Sequence, residues 1–196
     1  MFRFVESIRL ENGHLQHVKW HEKRLNETRS TFFPGLDFLH LDTVIDIPES
    51  LSHGLYKCRL VYDDTVCSIE FIPYIPKTIN ALKLVCLDEI KYDFKFEDRS
   101  CLNEALRLKG EADDVLIVKN GCITDTTFSN VALFDGTQWC TPDTYLLNGT
   151  CRQRLIQDGL LVEKRIGPKD LSDYKYIRPI NAMLDLEDTP NVEKII

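Results

Sequence analysis

The 196-residue chain reads as a β-rich α+β protein. Three observations predict this class. Short runs rich in β-branched and aromatic residues recur along the chain, separated by turn dipeptides such as Asn12-Gly13, Asn120-Gly121 and Asp135-Gly136. Apolar residues at helical spacing are confined to a few stretches of modest length. A proline-bearing segment ending at Pro76-Lys77-Thr78 interrupts the pattern, because proline cannot continue a central ladder. It marks the best candidate break, near residues 76–80.

Taken in order, Phe2 to Leu10 alternates as a strand, and Glu11-Asn12-Gly13 turns it into a second short strand from His14 to Val18. From Trp20 to about Phe33 the spacing becomes helical: Trp20, Leu25 and Phe32 share the buried side and Glu22, Lys23, Glu27 and Arg29 lie outside. Pro34-Gly35 ends it. A weakly helical stretch follows at Asp42 to Leu51. Leu55 to Tyr62 and Val66 to Tyr74 form a hairpin around Asp63-Asp64-Thr65. Beyond the break, Leu82 to Leu87 is a strand and Arg99 to Leu108 a helix closed by Gly110. Two hairpins are expected next, Val115–Val118 with Cys122–Thr124 and Val131–Phe134 with Trp139–Thr141, each with a type I′ turn at its Asn-Gly or Asp-Gly pair. Gly149 to Asp158 is a short helix with Gly159 as its C-cap, Leu160 to Arg165 a strand, and Pro168 to Leu171 a helical turn.

Bulk properties exclude several classes. The net charge is −7 and Lys and Arg are scattered, which argues against a nucleic acid or an anionic membrane as main partner. Seven cysteines stand singly, without metal-ligand spacing or an even count, so neither a zinc site nor a disulfide framework is expected; reduced thiols in a cytoplasmic protein are. The N-terminus, with Arg3, Glu6 and Arg9 in its first nine residues, resembles neither a signal peptide nor a membrane span.

No single motif carries the chemistry alone. Lys95 by itself is an ordinary loop lysine, Asp125 an Asx-turn residue beside Thr126, Arg24 a helix-surface cation near Glu22 and Glu27, and Gly149 a helix N-terminus. In order along the chain, however, VESIRLENGHL, HEKRL, KFEDR, VKNGCITDTTFSN, TP and LLNGTCRQRL resemble the class IV aminotransferase family: the fold-type-IV pyridoxal-phosphate enzymes, which include branched-chain and D-amino-acid aminotransferases and 4-amino-4-deoxychorismate lyase. The resemblance runs from about Phe4 to Met183.

That resemblance implies a small N-terminal α/β lobe over 1–78, a larger β-rich pseudo-barrel lobe over 79–196, pyridoxal 5′-phosphate in the cleft between them, and a homodimer. It assigns Lys95, in Lys95-Phe96-Glu97-Asp98-Arg99, as the lysine that binds the cofactor covalently, since only a primary amine forms a linkage that a substrate amine can displace. Lys91 is the rival, without Arg or Asn four residues on. Asp125 would pair with the pyridine nitrogen, where the family has glutamate; it is one methylene shorter. Thr127, in the same string, is assigned to the cofactor as well. Gly149-Thr150-Cys151, opening a helix, would bind the phosphate through backbone amides, with Cys151 where the family has threonine. Arg24 would contact the phosphate and Asn181 would belong to a late loop closing over it. Arg99 would either tune the cofactor's phenolic oxygen, cap the following helix, or pair with Asp98. Glu6 and Arg9 fall in the family's first strand, and His21 receives no role.

For the reaction, the resemblance implies a lyase that splits 4-amino-4-deoxychorismate into pyruvate and p-aminobenzoate. The alternative is a transaminase on a small amino acid, and a third reading is a family member that binds cofactor or partner without turnover. In each enzymatic case the partner is a small molecule bearing an amino group.

Overall fold

The computed structural model describes residues 2–196. The chain divides into two compact units, one running to Pro76 and taking in Phe94–Asp98, the other formed by Lys77–Asp93 and Arg99–Ile196.

In the first unit, strand β1 (Phe4–Glu11) turns at Asn12-Gly13, both with positive φ as a type I′ turn requires, into β2 (His14–Leu15). Helix α1 spans Val18–Phe32, starting two residues earlier than the apolar spacing suggests. β3 (Leu55–Tyr62) lies antiparallel to β1 in unbroken register from Phe4↔Tyr62 to Glu11↔Leu55, and β4 (Val66–Pro73) completes a sheet of order β2-β1-β3-β4. Alternation along β1 sends Phe4, Glu6, Ile8 and Leu10 inward, all fully buried. The three apolar members meet Leu25, Leu41, Cys58, Leu60 and Tyr62 in the core. The expected helix at 42–51 resolves into two 3-10 turns, Leu41–Thr43 and Glu49–Leu51, because Pro48 excludes helical backbone at the residue before it.

Phe94–Asp98 packs with this unit. The Val5 amide donates to the Lys95 carbonyl at 2.9 Å and the Glu97 amide to the Arg3 carbonyl at 2.8 Å. Phe96 lies tilted against Phe4 with ring centroids 5.1 Å apart, and Phe94 sits edge-on to Phe32 at 4.8 Å. The aromatic contacts dictate where these five residues reside.

The second unit contains two four-stranded sheets. One has order β12-β5-β6-β7, from β5 (Ala81–Cys86), β6 (Asp114–Lys119), β7 (Cys122–Ile123) and β12 (Lys194–Ile195); the other has order β10-β9-β8-β11, from β8 (Asn130–Phe134), β9 (Trp139–Pro142), β10 (Val162–Lys164) and β11 (Tyr176–Ile180). Helix α2 (Ser100–Arg107) precedes β6, and helix α3 (Thr150–Gln157) links β9 to its parallel neighbour β10. α3 ends in a Schellman motif: Gly159, at φ 72°, donates to Ile156 O while Leu160 donates to Leu155 O. Ile79, Leu82, Leu116, Ile123, Val131 and Leu133 form the main core.

The Asn120-Gly121 turn has positive φ at both residues, as type I′ demands. Asp135-Gly136 does not: only Gly136 has positive φ, and the Asp135 carboxylate accepts from the Thr137 and Gln138 amides, so a side-chain-capped four-residue loop replaces the expected two-residue turn. β11 contains Pro179, which is tolerated because β11 is a sheet edge. Among the described residues no helix is long and apolar enough to cross a membrane.

Candidate functional site

In the first unit, β1 carries a carboxylate on its buried face, and α1 answers it with two donors one helical turn apart. Arg24 donates from Nε to Glu6 Oε1 at 2.8 Å and from Nη2 to Oε2 at 2.5 Å, while His21 Nδ1 lies 2.6 Å from the same Oε2. A carboxylate accepts only, so His21 Nδ1 bears a hydrogen. All three side chains are buried. Burial alone would raise the Glu6 pKa; the Arg24 charge and the donated bonds outweigh it and hold the carboxyl at about 2. Burial lowers His21, partly offset by its bond to Glu6, and the charges of Arg24 and Lys95 lower it further. Lys95 is half-buried, its carbonyl is bonded to β1 and its charge acts on His21; Lys91 is exposed.

The sign of the pH dependence follows. Below its ordinary pKa of 4.5, Glu6 in the unfolded chain binds a proton that the folded chain refuses, so its stabilisation is full above that value and disappears as pH falls toward 2. The gap corresponds to ~3 kcal/mol. Urea titrations of the cofactor-free protein between pH 5 and pH 2 are expected to show this loss, and Glu6→Gln to flatten the acid limb by a similar amount. An unchanged limb in the variant would refute the assignment.

In the second unit the centre is Asp125, buried two residues past the end of β7. Its Oδ1 accepts from Asn130 Nδ2 at 2.9 Å, and its Oδ2 from the Leu146 and Leu147 amides at 3.2 and 3.0 Å. Burial pushes its pKa up to about 7, against the lowering effect of these donors and of Arg152. Asn130 is the hub. It also donates to Leu147 O at 2.8 Å, and its Oδ1 approaches so closely that a Cβ on Gly149 would stand 2.2 Å from it. One amide side chain thereby ties the acid to the loop that opens α3.

The other residues singled out in the sequence have definite places. Gly149 is the N-cap of α3 with extended backbone, and Thr150 is buried in its first turn. The Cys151 side chain packs with Ala132, Leu155 and Ile180, and burial pushes its thiol up to about 12, so it is an inert apolar filler and supplies no hydroxyl. Thr127 Oγ1 donates to Asp114 at 2.8 Å, which orients the 124–130 loop. Arg99 donates to the Thr127 carbonyl at 2.6 Å; it begins α2 without a side-chain cap. Asn181 Oδ1 accepts from the Met183 and Leu184 amides, and its Nδ2 donates to Ser129 Oγ at 2.9 Å, which links the late loop to the Asp125 string.

Four contributors escaped sequence reasoning: Glu6, His21, Asp114 and Asn130. Glu6 had a signal, since alternation with Phe4 and Ile8 puts a carboxylate on an apolar face, which demands a cation. His21 and Asn130 stand within the HEKRL and VKNGCITDTTFSN strings, which mark their place but not their hydrogen-bond partners, and Asp114 had no signal.

These groups suit pyridoxal phosphate. Asp125 is a buried carboxylate whose three donors are all neutral N–H groups, the setting in which a protonated ring nitrogen is a favourable fourth partner. The first turn of α3 carries backbone N–H groups that have no partner within the helix, the usual cradle for a phosphate. Among the described residues no His, Cys, Asp or Glu cluster is arranged to hold a metal ion.

Comparison with known proteins identifies the family and the fold. Residues 100–186 match the model of the class IV amino-transferase family. The crystal structure of a proposed 4-amino-4-deoxychorismate lyase from Haemophilus somnus 129PT superposes with a TM-score of 0.89 at 34% identity, covering 95% of this chain and 98% of that one. An uncharacterized protein of Haemophilus influenzae is 32% identical over 185 residues, 93% of this chain and 98% of its own. The PLP-bound form of a hypothetical aminotransferase from Mycobacterium tuberculosis shares the fold at 17% identity, with a TM-score of 0.77 over 98% of this chain and 81% of that one.

Proposed function

From the premise that the chain belongs to the class IV amino-transferase family and has its fold-type-IV architecture, we propose that it is a pyridoxal-phosphate-dependent lyase. It would split 4-amino-4-deoxychorismate into p-aminobenzoate and pyruvate. The observation that carries the substrate choice is the 34% identity, over nearly the whole of both chains, to the protein proposed to have that activity.

Pyridoxal phosphate, when bound, supplies an electron sink that stabilises negative charge beside the substrate nitrogen. The chain's own residues do the rest. Lys95 Nζ would be the amine that holds the cofactor and would move protons as a general base and acid. The Asp125 carboxylate, fixed by Asn130 and two amides, would hold a proton on the ring nitrogen. Gly149-Thr150 at the start of α3, in the second unit, and the Arg24 guanidinium, in the first, each have the chemistry to hold a phosphate dianion. Arg99, Thr127 and Asn181 keep the Asp125 string in shape through the bonds described above. The proposed assembly is a homodimer, to be read from the solution mass.

The test begins with absorbance. Added pyridoxal phosphate is expected to give a yellow protein whose visible band borohydride abolishes. Lys95→Ala should lose the band and Lys91→Ala keep it; the reverse would move the anchor by four residues. A protein that stays colourless overturns the proposal. With cofactor bound, pyruvate should form from aminodeoxychorismate without a keto acid; a strict need for a keto acid would make the chain a transaminase instead.

A further inference from the structure

The buried polar cluster of the first unit contains two groups to which the proposed reaction assigns nothing, Glu6 and His21. Apolar residues of similar volume would fill this part of the core without the desolvation cost of a carboxylate, an imidazole and a guanidinium. Their bonding has a direction. Arg24 grips Glu6 with two nitrogens on two oxygens, which fixes the guanidinium in rotation as well as position. His21, on the same helix, restrains the carboxylate by bonding the oxygen that Arg24 Nη2 also uses. The carboxylate in turn comes from β1, whose Val5 amide holds the Lys95 carbonyl. One strand therefore orients the arginine through a side chain and the lysine through its backbone.

We propose that Glu6, braced by His21, is a positioning residue that fixes the orientation in which the Arg24 guanidinium meets the phosphate of pyridoxal 5′-phosphate. This rests on the cofactor reading above. A guanidinium already immobilised loses little side-chain freedom when the dianion arrives, so the brace contributes to affinity without touching the ligand.

The full chain, freed of cofactor, is titrated with pyridoxal 5′-phosphate and with pyridoxal, followed by the visible band. The ratio of the two affinities isolates the grip on phosphate. Glu6→Gln keeps the volume and removes the charge; it is expected to weaken pyridoxal 5′-phosphate about tenfold or more and leave pyridoxal within about twofold. His21→Asn, which retains a donor near the Nδ1 position, should preserve the ratio, and His21→Leu should lower it. In an Arg24→Met background, Glu6→Gln should change the ratio no further, because Glu6 acts only through that arginine. Equal weakening of both ligands in Glu6→Gln, or an unchanged ratio, overturns the positioning role and leaves the cofactor reading intact. Wild-type protein that binds neither ligand overturns both. If Glu6→Gln does not fold, as judged by circular dichroism, His21→Leu against His21→Asn decides the matter on the same readout.

Discussion

Arg24→Met is expected to lower the unfolding free energy of the cofactor-free protein by about 3–5 kcal/mol, because it leaves Glu6 as a buried carboxylate without its cation. The loss is not the worth of the pair. Two charges withdrawn from water and set against each other gain little over an apolar filling of the same space; one of them left alone is what costs. The double variant Glu6→Gln/Arg24→Met, which removes both charges, should therefore be more stable than Arg24→Met alone. Urea unfolding of the two variants at neutral pH checks the order. A double variant less stable than the single one would show that the cluster contributes mainly through its attraction, and the argument from desolvation would fall.

Gly149→Ala is expected to cost about 1–3 kcal/mol by overpacking and to abolish the visible cofactor band at moderate ligand concentration. The backbone of Gly149 is not the reason, since at φ −65° and ψ 147° any residue is comfortable there. The reason is the Cβ position, 2.2 Å from Asn130 Oδ1. Asn130 cannot swing away cheaply, because its Nδ2 is committed to Asp125 Oδ1 and to Leu147 O. Displacing it leaves the buried Asp125 without one of its three donors and loosens the loop before α3, so the acid and the phosphate cradle fail together. With Asn130→Ala already in place, the same glycine substitution should cost much less. Equal costs in both backgrounds, measured by chemical unfolding, would refute the clash.

How far the residues alone reach depends on sequence separation. The turns at Asn12-Gly13 and Asn120-Gly121 are specified by neighbouring residues that tolerate positive φ, and both fold as their chemistry requires. The Schellman end of α3 at Gly159 is equally local. The parallel neighbours β5 with β6 and β9 with β10, and the pairing of β12 with β5, join segments far apart in the chain and carry no turn signal. β11 was hidden by Pro179, which forbids a central strand and says nothing against an edge.

The same division runs through the site. By itself the sequence determined the family order of the motifs around Arg24, Lys95, Asp125 and Gly149, because short runs that are ambiguous singly become specific when they follow one another in that order. Only the tertiary structure decided the company of each residue. It gave Arg24 a carboxylate from a strand eighteen positions earlier, and Asp125 an amide hub that also presses on Gly149. It sent the Cys151 thiol into an apolar cluster and the Thr127 hydroxyl to Asp114. The physical reason is that a buried charge or amide must be satisfied by whichever polar group the packing brings within hydrogen-bond reach, and chain proximity does not select that group.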